Sequence, residues 1–266
     1  MYIADDFSCS PQVRGSNQRK IHPMKFRLFF TLFLAIYSFA AFAQDEPKPE
    51  KPKFALGVNF SPGYAYRFIW LSKDASSFTH KVKELFDDTE EGKFGYTTGL
   101  NFSWFAAKRL TIETGIWYSN KGFDLKWIDL TTATVEPDPY DKVKVRYSLA
   151  YLTVPLKVNF NILTSPLTLF ISAGITADYL LYSKSKQFLV YTDGHTDSHT
   201  SDSREGLKDI TMSAIGSVGL EYTFLKNFRV RFEPTYMMNI IKIGSGDAGT
   251  YLWSVGGNVG MYYVFY

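Results

Sequence analysis

One cysteine, Cys9, stands in 266 residues, so the chain has no intrachain disulfide framework. Charge of one sign is equally scarce in excess. Lys and Arg number 29 against 26 Asp and Glu, and a net +3 supplies no concentrated basic face for nucleic acid, which is not expected as a partner. The longest apolar run, residues 28–42, falls short of the roughly 20 residues of a bilayer-spanning helix. A mean hydropathy of −0.12 also excludes a bundle of such helices. Common catalytic signatures are missing too: there is no Gly-rich phosphate loop, no Gly-x-Ser-x-Gly elbow and no His-Glu-x-x-His pair. The expectation is a protein that is not an enzyme and uses no cofactor.

What the chain has in plenty is aromatic side chains: 23 Phe, 18 Tyr and 5 Trp, 17% of all residues. That share excludes a disordered or collagen-like chain. Near the start, Met24-Lys25-Phe26-Arg27 leads into the apolar run, which ends in Ala41-Phe42-Ala43. A basic start, an apolar middle and a small-x-small end is the order of a secretory signal. Residues 24–43 are therefore read as a signal peptide cut between Ala43 and Gln44. Residues 1–23 are read as an unstructured leader or over-extended start, and residues 44–53, with Pro among Glu and Lys, as a solvated spacer. Cys9 lies in the leader, so the exported chain would carry no thiol, which suits a bacterial envelope.

Beyond residue 53 the dominant signal has period two. Phe94, Tyr96, Thr98, Leu100, Phe102 and Trp104 share one face, and Gly95, Thr97, Gly99, Asn101 and Ser103 the other. Eight segments alternate in this way: residues 54–68, 94–105, 110–123, 145–160, 167–183, 210–224, 228–241 and 251–266. They exceed the usual soluble strand of about 5 or 6 residues and match the roughly 9 to 11 that cross a bilayer at a tilt. Connections alternate between tight (106–109, 161–166, 225–227) and long (69–93, 124–144, 184–209). Aromatics gather at segment ends, with Tyr66, Phe68, Trp70, Tyr118, Tyr179 and Trp253 on one rim. Trp104, Phe105, Phe160, Phe224, Tyr263 and Phe265 form the other, as two headgroup interfaces favour. The fold class is all-β: an eight-stranded antiparallel transmembrane β-barrel over residues 54–266, with short periplasmic turns and long outer loops.

Register follows from the faces. Around residues 225–227, Phe224 should oppose Phe228 and Glu221 should oppose Arg231. In 145–160, Tyr147, Leu149 and Tyr151 take one parity and Leu152, Val154, Leu156 and Val158 the other, which predicts a bulge near Tyr151. Pro62, Pro155 and Pro234 each remove a ladder donor and predict further bulges.

The inward face carries Glu113, Lys157, Asp178, Glu221, Arg229, Arg231 and Glu233, with Lys144 and Arg146 assigned to it as well. These residues could ring a channel. An eight-stranded barrel has a lumen only wide enough for side chains, which favours a packed network of paired charges. The loop containing His195, Asp197 and His199, with Asp193 and Asp202, offers imidazole and carboxylate groups for a metal or a hydrolytic centre. Polar loops of that composition are common without either. In the first long loop, Phe78, Val82, Leu85 and Phe86 follow Ser76 and Ser77 at the spacing of a capped amphipathic helix, which would cover the mouth or, as the alternative, dock a partner.

The passage Tyr151-Leu152-Thr153-Val154-Pro155-Leu156-Lys157-Val158 resembles the Tyr-Leu-Glu-Ile-Pro-Leu strand signature of the PorT-like family of outer-membrane β-barrels, with Thr153 where the family has an acid. Ala173-Gly174 and the terminal Met261-Tyr262-Tyr263-Val264-Phe265-Tyr266 are similar in style. The resemblance implies a barrel in the outer membrane of a Gram-negative envelope, a C-terminal strand read by the barrel-assembly machinery, and no catalytic residue. It further implies an accessory or assembly role in protein secretion, with envelope or secretion-system proteins and outer-membrane lipid as partners. The alternatives are a small-solute channel or, needing the His195 loop, a hydrolase. For that loop the polar reading predicts that titration with zinc or nickel releases no heat; a saturable signal lost in His195→Ala/His199→Ala would establish a site.

Overall fold

The computed structural model describes residues 52–70, 88–129, 140–164, 167–244 and 249–266. The leader, the signal peptide with its Ala43 to Gln44 junction, most of the spacer and the amphipathic helix at 78–86 lie outside them. Ten strands follow in order: β1 (Phe54–Trp70), β2 (Glu90–Ala107), β3 (Leu110–Leu125), β4 (Ile128–Asp129), β5 (Tyr140–Leu163), β6 (Leu167–Tyr191), β7 (Thr196–Asp202), β8 (Ile210–Leu225), β9 (Phe228–Asn239) and β10 (Gly249–Phe265). Eight of them hydrogen-bond antiparallel in the ring β1-β2-β3-β5-β6-β8-β9-β10, and β10 closes onto β1. The closing ladder runs from Phe54 opposite Phe265 to Trp70 opposite Gly249. Closure leaves the ring no free edge, which is what the hydrocarbon of a bilayer requires.

The two faces sort as their chemistry demands. Leu56, Val58 and Phe60 on β1, Leu100 and Trp104 on β2, and Val154, Leu156 and Val158 on β5 are exposed on the outside. Asn59, Asn101, Ser103, Thr153 and Asn159 are buried inside. The lower aromatic rim is a chain of ring contacts: Phe54 to Phe265 (4.7 Å), Phe265 to Tyr263 (4.8 Å), Tyr263 to Phe228 (5.1 Å) and Phe228 to Phe224 (6.0 Å). Phe105 departs from the rim expected of it. Its parity is that of the inward Asn101 and Ser103, so it packs, half-buried, against the inward Ala55, Tyr262 and Val264.

Glu221 opposes Arg231, as the faces require. Phe224 does not oppose Phe228, however: a register shift between Thr223 and Leu225 leaves Leu225 opposite Phe228. A shift also falls between Ala150 and Tyr151, but the extra residue, Leu181, belongs to β6. Burial there changes from even to odd positions, with Leu180 buried, Leu181 and Tyr182 exposed and Ser183 buried. β5 itself keeps its odd residues inward throughout. Its two apolar sets arise because the lower even ones face lipid while Tyr147, Leu149 and Tyr151 join an apolar cluster inside. Lys144 and Arg146 consequently face outward, not into the lumen. The three prolines cause no register shift either. Pro62 stays paired with Tyr96, Pro155 with Thr176 and Pro234 with Gly257, so each absent donor interrupts one ladder without displacing it.

The long connections are only partly loops. β5 and β6 run beyond the ring, a turn at 192–195 follows, and β7 returns along β6. With β4 added to β5, this forms an open β-arm on the outer side. At the same end Leu207 bridges to Gly244, Lys208 N donates to Ile243 O (2.8 Å), and Leu207 and Ile243 pack onto the buried Phe123, Leu149, Tyr151, Leu180 and Leu252.

Glycines admit large rings inside the wall. Tyr262 lies over its ladder partner Gly57, and Phe170 over its partner Gly219, so that a Cβ at either glycine would collide with the ring. Gly57→Val is therefore expected to lower unfolding stability in detergent micelles by about 1–3 kcal/mol. Val58→Leu, on the lipid face, should leave the denaturant midpoint within the spread of the wild type.

Candidate functional site

The interior is built in levels that follow position along the strands. At the periplasmic end Phe105 and Tyr266 pack on Ala55, Tyr262 and Val264. The next level holds charge. Lys157 Nζ donates to Glu113 Oε1 (3.1 Å) and Glu233 Oε1 (2.7 Å). Arg231 donates from Nη2 and Nε to Glu221 Oε2 (2.7 and 3.0 Å) and from Nη1 to Glu113, while Arg229 Nη1 reaches Glu221 Oε1 (2.8 Å). Three carboxylates meet three cations, so the cluster is neutral. Lys157, Glu113 and Glu233 are 0–1% exposed.

Neutral groups add to the bonding. Ser103 Oγ and Asn159 Nδ2 donate to Glu113, and Asn258 Nδ2 and Ser217 Oγ to Glu233. The Arg231 guanidinium lies over the Tyr262 ring (4.2 Å to the centroid) and the Phe170 ring (4.9 Å). Tyr262 Oη accepts from Arg231 (3.2 Å) and from Asn101 Nδ2 (3.1 Å), and Trp117 Nε1 donates to Asn101 Oδ1 (2.6 Å). Arg229 Nε and Asn159 Oδ1 are buried without a partner; the remaining bonds offset a desolvation cost of several kcal/mol per ion.

Of the residues expected to form the lumen network, Glu113, Lys157, Glu221, Arg229, Arg231 and Glu233 are joined in one cluster. Asp178 stands apart from it. Its oxygens accept from Thr153 Oγ1 (2.6 Å), Ser213 Oγ (2.6 Å) and Thr176 Oγ1 (3.0 Å). Thr153 thus meets an acid supplied by the neighbouring strand. Lys144 and Arg146 pair outside with Glu91 and Asp124. The contributions of Trp117, Asn101 and Tyr262 went unrecognised in the sequence, although all three share the parity of small and polar neighbours.

Above the ions, Trp117, Ile215 and Met237 form an apolar layer beside a cavity of about 40 Å³ that Asn59, Ser61, Thr97, Thr235 and Ser254 help to line. The cluster capped by Leu207 and Ile243 lies above that. His195 occupies the turn at the tip of the arm, its N–H on Asp193 Oδ1 (2.8 Å), with Asp197 and His199 further along β7. Among the described residues no three His, Cys, Asp or Glu side chains gather into a group that could hold a metal.

Closed ring, apolar outer band and filled interior define a small transmembrane β-barrel. The chain belongs to the family described as outer membrane protein beta-barrel domain, whose model matches residues 42–243, and it is a protein of the outer membrane. Curated protein sequences give no match. Among solved structures, Neisserial surface protein A is similar at 11% identity over 80% of this chain and 97% of that one, with a TM-score of 0.39. The attachment invasion locus protein of Yersinia pestis is similar at 12% over 79% and 99% (0.35), and the N-terminal β-barrel domain of Pseudomonas aeruginosa OprF at 11% over 80% and 100% (0.34).

Arg231→Leu would leave Glu113 and Glu221 buried beside one fewer cation. It is expected to cost about 3–5 kcal/mol and to lower the temperature at which the folded band disappears in heat-modifiability gels. An unchanged transition would contradict the pairing.

Proposed function

We propose that this is a non-enzymatic outer-membrane protein that works through its outer surface, as an accessory or assembly component of protein secretion of the PorT-like kind. The observation that carries the reading is the filled lumen. Ion pairs and apolar layers occupy it from the periplasmic end to the cap of Leu207 and Ile243, and the cavity between them has room for little more than a few waters. Such an interior favours anchorage over solute passage. The surface left for a task is the arm, where all seven residues of β7 are exposed and, among the described residues, no strand pairs with its outer edge. A free edge of this kind accepts an added strand from a protein partner.

Delivery would follow from the signal peptide at 24–43, and insertion from recognition of the aromatic C-terminal strand by the barrel-assembly machinery. Two measurements test the role. In planar bilayers the purified barrel should give no conductance steps above those of the bare bilayer; regular steps would restore the channel reading. A photo-crosslinker at Thr200 on β7 should capture an envelope protein in intact outer membrane, and one at Ile116 on the lipid face should not. Equal capture at both positions, or at neither, would contradict docking on the arm.

A further inference from the structure

Above the apolar band the outer wall of β5 and β6 changes chemistry. The outward residues of β5 run Leu156, Val154 and Leu152 and then, at the top, Arg146, Lys144 and Lys142; on β6, Tyr179 and Tyr182 are followed by Lys184 and Lys186. The ladder sets Arg146 directly opposite Lys186, a repulsive placement unless an anion lies near. Glu91 and Asp124 answer Lys144 and Arg146, while Asp129 stands opposite Lys142 and Asp202 opposite Lys184.

Among the described residues no ion pair or hydrogen bond forms to the side chains of Lys142, Lys184 or Lys186. Lys184 lies over the Tyr182 ring (5.1 Å) and Lys186 over the Phe188 ring (4.9 Å), which props their ammonium groups along the wall. Just below, Lys93 Nζ is held by neutral groups only, Asn120 Oδ1 (2.9 Å) and Ser148 Oγ (2.7 Å), and the Tyr118 and Tyr182 hydroxyls hydrogen-bond to each other (2.7 Å). Tyrosines of this kind mark the headgroup level of a membrane protein.

We propose that this face, at Arg146, Lys142, Lys184 and Lys186, binds the phosphate-bearing headgroup of an outer-leaflet lipid. Two observations select a lipid over a soluble anion. The cations continue, on the same side of the same two strands, the residues that face acyl chains, so one molecule can satisfy both. Lys184 and Lys186 also stand only two and four residues beyond Tyr182, with Arg146 beside Lys186, where the phosphates of that leaflet lie, and Lys142 stands further out on the same face. Arg146 already has Asp124; phosphate oxygens would supply the acceptors that Lys142, Lys184 and Lys186 lack.

The test uses the full barrel in detergent micelles, with native mass spectrometry reading the bound species. The probes are bis-phosphorylated lipid A, the same lipid with its phosphates removed, and inorganic phosphate. Wild type should retain phosphorylated lipid A, more weakly in high salt. Lys142→Gln/Lys184→Gln/Lys186→Gln should lose affinity on the order of 100-fold, while Lys108→Gln/Lys226→Gln at the periplasmic turns should bind as wild type. Equal binding by the triple variant, or equal retention of the phosphate-free lipid, would overturn the proposal. Inorganic phosphate competing at the concentration of the lipid would assign a soluble-anion site instead and overturn it too. Should the triple variant fail to fold, Lys186→Gln and the salt response of the wild type decide the same question.

Discussion

Inside a bilayer every backbone N–H and C=O must find its partner within the protein, and the closed antiparallel ring is how this chain meets that condition. Closure of β10 onto β1 has consequences beyond the backbone. It fixes which residues face lipid, because a strand that slipped by one residue would turn lipid-facing groups inward. It also fixes the width of the interior. Eight strands leave a space that side chains fill, so charges placed there can be kept only by pairing with one another. The neutral cluster of Glu113, Glu221 and Glu233 with Lys157, Arg229 and Arg231 follows from that confinement.

Much of this was legible because lipid and lumen impose opposite demands on alternate residues. The eight ring strands and the Glu221 to Arg231 pairing could be read from parity alone, and six of the nine charges expected inside join one cluster. Parity fails where one of those demands is absent. The arm strand Thr196–Asp202 is polar on both faces, since neither face meets hydrocarbon, and so it resembles a loop in sequence. Two apolar parities in β5 imitate a change of face, although Lys144 and Arg146 stay outside. The second set, with Leu149 and Tyr151, instead packs under Leu207 and Ile243, segments distant in sequence. Likewise the proline at 155 omits one donor from a ladder that its neighbours hold in register.

Inside and outside therefore perform different tasks. The interior is occupied by its own stabilising contacts, with the Arg231 guanidinium against two rings and the aromatic Tyr262 seated over Gly57. What these contacts leave free is the surface. There the arm offers an open strand edge on one side and a basic face on the other, close to the leaflet that surrounds the barrel.

The central claim is that the lumen is held by mutually dependent buried charges. A double-mutant cycle on Lys157 and Glu233, which are almost fully buried and 2.7 Å apart, tests it most directly. Lys157→Met and Glu233→Gln should each destabilise the barrel in micelles, and the double variant should fall short of their sum by about 1–3 kcal/mol. Additive losses would contradict the account.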